Sequence, residues 1–315
     1  MSSSAEHPQL NRTAIYLSLG LAILLILGAL IGARIVSDRA NNQSVALSPV
    51  PAPLAESTEC STLIDALPDE LLGHDRAPIA DPVPAGTAAW QSGPAERITL
   101  RCGVELPYQF TEVASTTEDA GVQWLRVDDM TPGSDLSTWY AVDREPVVAV
   151  TASLTESENP VAELGAPVSA LPQKQHEPFP APLSELEKAA QDPCPALLDA
   201  LPGTLAGDWS LESADGDTAV WVKEGSEPVV LRCGVAPPPN YVAGERLTQI
   251  DDIPWFEDTQ LVNGSTASTW YALGRETDIA VSVPQAISAQ VLPELGGTIS
   301  GATGVQSAPL APSGQ

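Results

Sequence analysis

The feature that most constrains this chain is that much of it is written twice. Residues 60–68 (CSTLIDALP) recur as 194–202 (CPALLDALP), and 100–104 (LRCGV) recur as 231–235. Ser137-Thr138-Trp139-Tyr140-Ala141 returns as Ser268-Thr269-Trp270-Tyr271-Ala272, with Arg144 matching Arg275. Glu163-Leu164-Gly165 returns as Glu294-Leu295-Gly296. All but the first of these blocks share an offset of 131 residues, as do Trp90 with Trp221 and Trp124 with Trp255. The first block has an offset of 134, which places a three-residue deletion between Gly207 and Trp221. Separate blocks that keep order and spacing require two copies of one folding unit.

Ahead of the repeats, residues 14–33 (AIYLSLGLAILLILGALIGA) carry no charge. A helix rises about 1.5 Å per residue, so twenty residues span about 30 Å, the thickness of a bilayer's hydrocarbon core. A cleaved signal peptide has a shorter apolar region, about 7–15 residues. We therefore expect an uncleaved anchor, with cleavage after Ala33 as the alternative. Arg12 on one flank and Arg34 and Arg39 on the other leave the positive-inside rule nearly silent. Gly28 and Gly32 form a GxxxG, through which two such helices can approach as a homodimer. Nothing else in the sequence supports that dimer.

These landmarks divide the chain. A short cytoplasmic tail occupies 1–13, the transmembrane helix 14–36, and a Pro-rich spacer 37–55. The first repeat covers 56–170, a linker with three prolines covers 171–182, the second repeat covers 183–303, and 304–315 is a disordered tail. With 41 acidic and 14 basic residues, the 315-residue chain has a net charge of −27. That balance argues against nucleic acid as a partner, because binding phosphates needs a cationic surface. It also argues against docking of the soluble part on anionic lipid.

Within one copy, Leu63-Ile64-Asp65-Ala66-Leu67 has helical spacing and stops at Pro68. In the second copy, 184–187 (SELE) fits a capping box and predicts an earlier helix start. A short strand is expected at 88–90. Residues 97–102 alternate as a half-buried strand does. A hairpin is expected from 122–127 and 136–142 around Pro132-Gly133, matched by Asn263-Gly264. Val147 to Val150 and Ile279 to Val283 read as a further strand, and a short helix near Glu163 or Glu294 closes each unit. The fold class is α+β: an N-terminal transmembrane helix, then two tandem small domains, each a mainly antiparallel sheet with one or two helices and one disulfide.

Four cysteines fall two to a copy and allow three pairings. Repeat symmetry favours Cys60 with Cys102 and Cys194 with Cys233. No CxxC is present and no His recurs beside them, which disfavours redox and zinc readings. Disulfides form in oxidising compartments, so the repeats are expected outside the plasma membrane and the N-terminus inside.

No catalytic set emerges. His7, His74 and His176 have no counterparts in the other copy, and no phosphate or dinucleotide fingerprint appears. No metal or cofactor is implied. The recurring residues with chemistry are Arg101, Arg144, Arg232 and Arg275, suited to an anion or carboxylate, and Trp139 and Trp270, suited to gripping a partner. The competing reading places the tryptophans in the core and the arginines in ion pairs. Asp69, Glu70, Asp128 and Asp129 are the acids an enzyme or enzyme accessory acting on cell-wall material would use, although they do not recur as a set.

With these blocks in hand, the repeat resembles a family of uncharacterised actinobacterial envelope proteins known only as a domain of unknown function. The opening Cys with Leu-Pro, the Trp before the second Cys, the Leu-Arg-Cys-Gly block and the late Trp-Tyr and Arg carry the likeness over both copies. The resemblance implies an N-terminal anchor or signal and a shared fold, and no catalytic residues. The expectation is a membrane-anchored, non-catalytic binding or scaffolding protein of the cell envelope, whose partner is an envelope protein or a cell-wall glycan. Two linked modules gain avidity where their targets sit together.

Overall fold

The computed structural model describes residues 12–41, 44–93, 96–153, 159–189, 194–242, 244–259 and 264–306. The disordered tail expected at 304–315 falls largely on 307–315, outside the described residues. Helix α1 (Arg12–Asn41) holds the apolar segment, and every residue from 16 to 34 exposes its side chain to the surroundings. Its stretch Tyr16–Arg34 is long and apolar enough to cross a membrane.

Each repeat is an eight-stranded antiparallel sheet with two helices on one face. The first begins with α2 (Thr58–Ala66), capped by Ser57, whose side chain accepts from the Cys60 N–H. Then come β1 (Glu70–Leu71), β2 (His74–Arg76), β3 (Thr87–Gln91) and β4 (Arg97–Cys102). They are followed by β5 (Thr117–Asp119), β6 (Val122–Asp128), β7 (Leu136–Ala141), β8 (Val148–Ser153) and α3 (Pro160–Ser169). The order across the sheet is β1-β2-β3-β4-β8-β7-β6-β5. The second repeat runs α4 (Cys194–Ala200), β9 (Thr204–Leu205), β10 (Trp209–Asp215), β11 (Thr218–Val222) and β12 (Val229–Val235). It continues β13 (Thr248–Ile250), β14 (Ile253–Asp258), β15 (Ala267–Ala272), β16 (Asp278–Pro284) and α5 (Ser288–Ala302). Its sheet repeats the first, strand for strand. The expected strands and closing helices are present. Strands β1, β2 and β5 and their counterparts β9, β10 and β13 are additional; they lie at or next to the sheet edges, and all but the seven-residue β10 are two or three residues long, too short to show a pattern.

The repeated blocks are the parts that lock helices to sheet. Cys60–Cys102 and Cys194–Cys233 are bonded, with Cα separations of 5.6 and 5.8 Å. They tie the opening helix to the central strand, and each such closure is worth about 4 kcal/mol in the chain-entropy model. The indole N–H of Trp90 donates to the Pro68 carbonyl at 2.9 Å, and Trp221 does the same to Pro202 at 2.9 Å. The Glu-Leu-Gly block divides its labour. Glu163 accepts from the Leu72 N–H and Glu294 from the Ala206 N–H, both at 3.2 Å. Leu164 and Leu295 are fully buried. Gly165 leaves room for Ala120, whose Cβ a larger side chain would strike. Even the left-handed backbone recurs, at Leu72 and Ala206 and at Ala120 and Asp251.

The connecting segments are packed rather than free. From the expected spacer, Val45 is buried and bridges Ile79, and the Leu54 N–H donates to the Gly103 carbonyl at 3.2 Å. A Cβ at Gly103 would collide with Leu54 and Ala55. The expected linker folds back on the first repeat: Glu145 N–H donates to Pro172 O at 2.9 Å and Lys174 N–H to Asp143 O at 3.0 Å. The second repeat ends alike, with Glu276 N–H to Gly304 O at 2.8 Å and Gln306 N–H to Gly274 O at 3.0 Å. The capping-box reading at 184–187 is corrected. These residues form a turn, and Lys188 then bridges Val235 in extended form. The carbonyls of Leu183, Ser184 and Leu186 all accept from Arg232, which holds the segment against β12.

One position breaks the symmetry. Val147 of the first repeat, buried before β8, corresponds to Asp278 of the second. Burial pushes the Asp278 carboxyl up to about 6. A raised carboxyl favours the folded state only while protonated. Stability is therefore highest below about pH 4 for this group and is lost as pH rises through about 6. Asp278→Val is expected to stabilise the second repeat at pH 7 by about 1 kcal/mol, once screening by solvent is allowed for. It should also flatten the change in melting temperature between pH 4 and 6.5, which calorimetry across that range measures.

Candidate functional site

The recurring arginines are spent on the chain's own backbone. Arg101 donates to Ser48 O at 2.6 Å, and burial lowers its pKa. Arg232 donates to Leu183 O at 2.6 Å, Leu186 O at 2.9 Å and Ser184 O at 3.0 Å, with Asp217 at 3.4 Å. This pair holds the segment leading into each repeat. Arg144, buried, donates to the Asp143 carboxylate at 2.6 Å and to Gly121 O. Arg275, also buried, donates to Ser300 O at 3.0 Å and to Thr303, holding the end of α5. Trp139 and Trp270 lie in the two hydrophobic cores, 6% and 8% exposed, and Trp270 donates to Ser268 at 2.9 Å.

The acids do not converge either. Glu70 is on β1 and Asp69 precedes it, at one edge of the sheet, whereas Asp128 is on β6 near the other. Asp128 accepts from Ser137 at 2.6 Å and Arg126 at 2.7 Å. Asp129 accepts from the Thr131 hydroxyl at 2.7 Å, a bond that holds its pKa below the usual range. Among the described residues, no group of three or more His, Cys, Asp or Glu is placed to hold a metal ion.

The structure opens a site elsewhere, between the repeats. Two turns of the second repeat meet the first. Asp128 N–H donates to Gly225 O at 2.7 Å. Gln109 donates to Gly264 O at 2.6 Å and to the Glu227 carboxylate at 3.2 Å. Tyr108 of the first repeat lies against Gly264, leaving no room there for a Cβ. Residues 110–112 pair with Phe179 in parallel: Phe179 N–H donates to Phe110 O at 2.8 Å and Glu112 N–H to Phe179 O at 3.0 Å. This brings Phe179 onto Tyr108, ring centroids 4.7 Å apart.

Under this cover is a chamber of about 370 Å³. Its floor is the helix-free face of β15 and β16, through Ala267, Thr269 and Ser282. Its walls are Tyr108, Phe179, three prolines and two leucines. Its carboxylates are Glu185 and Glu227. Glu227 is fixed in place by the Ser265 hydroxyl at 2.6 Å, the Thr266 N–H at 2.7 Å and its hydroxyl at 3.0 Å. Among the described lining residues, none is Lys, Arg or His. Pockets between domains with apolar walls and a few fixed polar groups are the usual form of a binding site.

None of the six candidate arginines and tryptophans lines this chamber. Residue recurrence does not mark the chamber, because it lies at the junction of the copies. Tyr108 and Gln109 correspond to Pro239 and Asn240, and Phe179 sits in the linker. The available signal was the pair of aromatic residues set among prolines at 107–108 and 178–180.

A family model described as a protein of unknown function, DUF3515, matches the chain in two tandem stretches, residues 19–176 and 173–308. No curated protein and no solved structure matches it. Gln109 carries two of the hydrogen bonds between the copies. Gln109→Ala is expected to weaken their coupling by about 1 kcal/mol. The check is amide exchange, with faster exchange at Thr266 and unchanged protection in the β3–β4 ladder.

Proposed function

The chain belongs to the DUF3515 family, proteins of unknown function, and on that premise we propose that it is a membrane-anchored, extracytoplasmic binding protein of the cell envelope that works without catalysis. The observation that carries this reading is the chamber between the repeats, which neither copy forms alone. Tyr108, Gln109 and Thr111 come from the first copy, and Glu227, Ser265, Thr269 and Ser282 from the second. Interfaces between domains of one chain move readily unless large and hydrophobic. A partner seated there links the two repeats and is exchanged as they part.

The placement draws on two further features. The stretch Tyr16–Arg34 has the length and hydropathy of a membrane span. The two disulfides favour an oxidising compartment for both repeats, which supports a cytoplasmic N-terminus. The partner is an envelope protein or a cell-wall glycan whose projecting group enters the chamber.

A photo-crosslinking amino acid in place of Tyr108, in the full membrane-anchored chain in its native envelope, tests this. A covalent product is expected, and Ala267→Phe, which fills the chamber floor, should abolish it while both repeats still melt normally. The reading is overturned by a product that survives Ala267→Phe, or by no product beyond that from the same amino acid at exposed Val83.

A further inference from the structure

We infer that the chamber between the repeats takes a weakly hydrated organic cation, an alkylated or quaternary ammonium group on a small body. The inference deepens the binding role proposed above and rests on it. Four observations converge. First, Tyr108 and Phe179 line the chamber and remain 46% and 37% exposed as residues, although their rings contact one another at a tilt. Aromatic faces attract cations through the ring quadrupole, and quaternary ammonium groups are the ligands most often recognised this way. Second, the charged groups in the lining are carboxylates, Glu185 and Glu227, and among the described lining residues no cation offsets them. Glu227 is held by donors from both repeats, so its carboxylate is positioned before any ligand arrives. Third, the rest of the lining is mainly apolar, with three prolines and two leucines beside Gln109 and the hydroxyls of Thr111, Ser265, Thr269 and Ser282, so it gives back only part of the water that a strongly hydrated primary ammonium sheds. An alkylated ammonium sheds less and buries its methyl groups against the same wall. Fourth, a net charge of −27 concentrates cations around the chain and repels anions.

The arrangement of charge decides between ligand classes. Among the described lining residues, a phosphate or carboxylate would meet two carboxylates and no cation. A neutral ligand of the same shape would gain the apolar contact and nothing from Glu185, Glu227 or the ring faces. An ammonium gains from all of these.

The test uses the full chain in detergent micelles with three probes of one shape by isothermal titration: choline, its neutral carbon isostere 3,3-dimethylbutan-1-ol, and phosphocholine, which carries an anionic end as a lipid headgroup does. Choline is expected to bind at least about tenfold more tightly than the alcohol. Glu185→Gln should weaken choline several-fold and leave the alcohol unchanged. Phe179→Leu should weaken choline with no change in the melting of either repeat. Phosphocholine binding as tightly as choline supports the inference with a headgroup as the source, and weaker phosphocholine binding supports it with a free cation as the source. Equal affinity for the alcohol overturns it, as does choline binding that survives Ala267→Phe. If no probe binds while the crosslink at Tyr108 persists and is lost in Ala267→Phe, this inference falls and the binding role stands. If the crosslink also fails, both fall.

Discussion

An eight-stranded sheet has two faces, and each repeat has helices for one. The helices, the disulfide and the Trp90 and Trp221 indoles close the inner face. The outer face of the central strands is nonetheless apolar, with Val235, Phe256, Tyr271 and Ala280 buried on the second sheet. Something must cover it, and the chain uses its own connecting segments. Leu183 and Leu186 of the segment entering the second repeat pack on that cluster. The need to cover a second face explains why sequence between domains, rich in proline and poor in regular structure, is ordered against the sheets. Proline suits the task, since it loses little entropy on being fixed.

The arginines follow from the same need. A segment laid over a sheet face in neither helix nor ladder leaves its carbonyls without partners, and unpaired buried carbonyls are costly. Arg232 supplies donors to three of them, and Arg101 to one in the first repeat. Arginine carries several donors on one planar head and keeps its charge when half buried. Recurrence in a chain short of positive charge is thus accounted for by backbone satisfaction.

Much of the fold was legible in the sequence, and the part that was not has a clear physical character. Apolar alternation, the turn pairs at Gly133 and Gly264 and the cysteine symmetry are local or repeated signals, and they mark the core strands, the hairpins and both disulfides. Edge strands such as β5 (Thr117–Asp119), with exposed polar residues, carry no such pattern. Packing of the connecting segments depends on distant carbonyls meeting Arg101 and Arg232, which spacing does not reveal. The capping box at 184–187 had the right letters for a helix, and tertiary hydrogen bonding overrode them. Recurrence identified what both copies need for folding. The chamber needs the copies to differ, so Tyr108, Gln109 and Phe179 stood outside any repeated block.

Helix α1 extends to Asn41, seven residues past the end of its apolar stretch at Arg34, and Val45 is already buried in the first repeat. On the proposed anchoring, seven helical residues add about 10 Å of rigid rise, and only residues 42–44 separate that post from the folded body. On that anchoring, three residues of chain reach at most about 10 Å, which keeps the repeats near the bilayer. Such a stand-off is short beside the thickness of a cell wall, so whatever meets the chamber must itself lie close to the membrane surface.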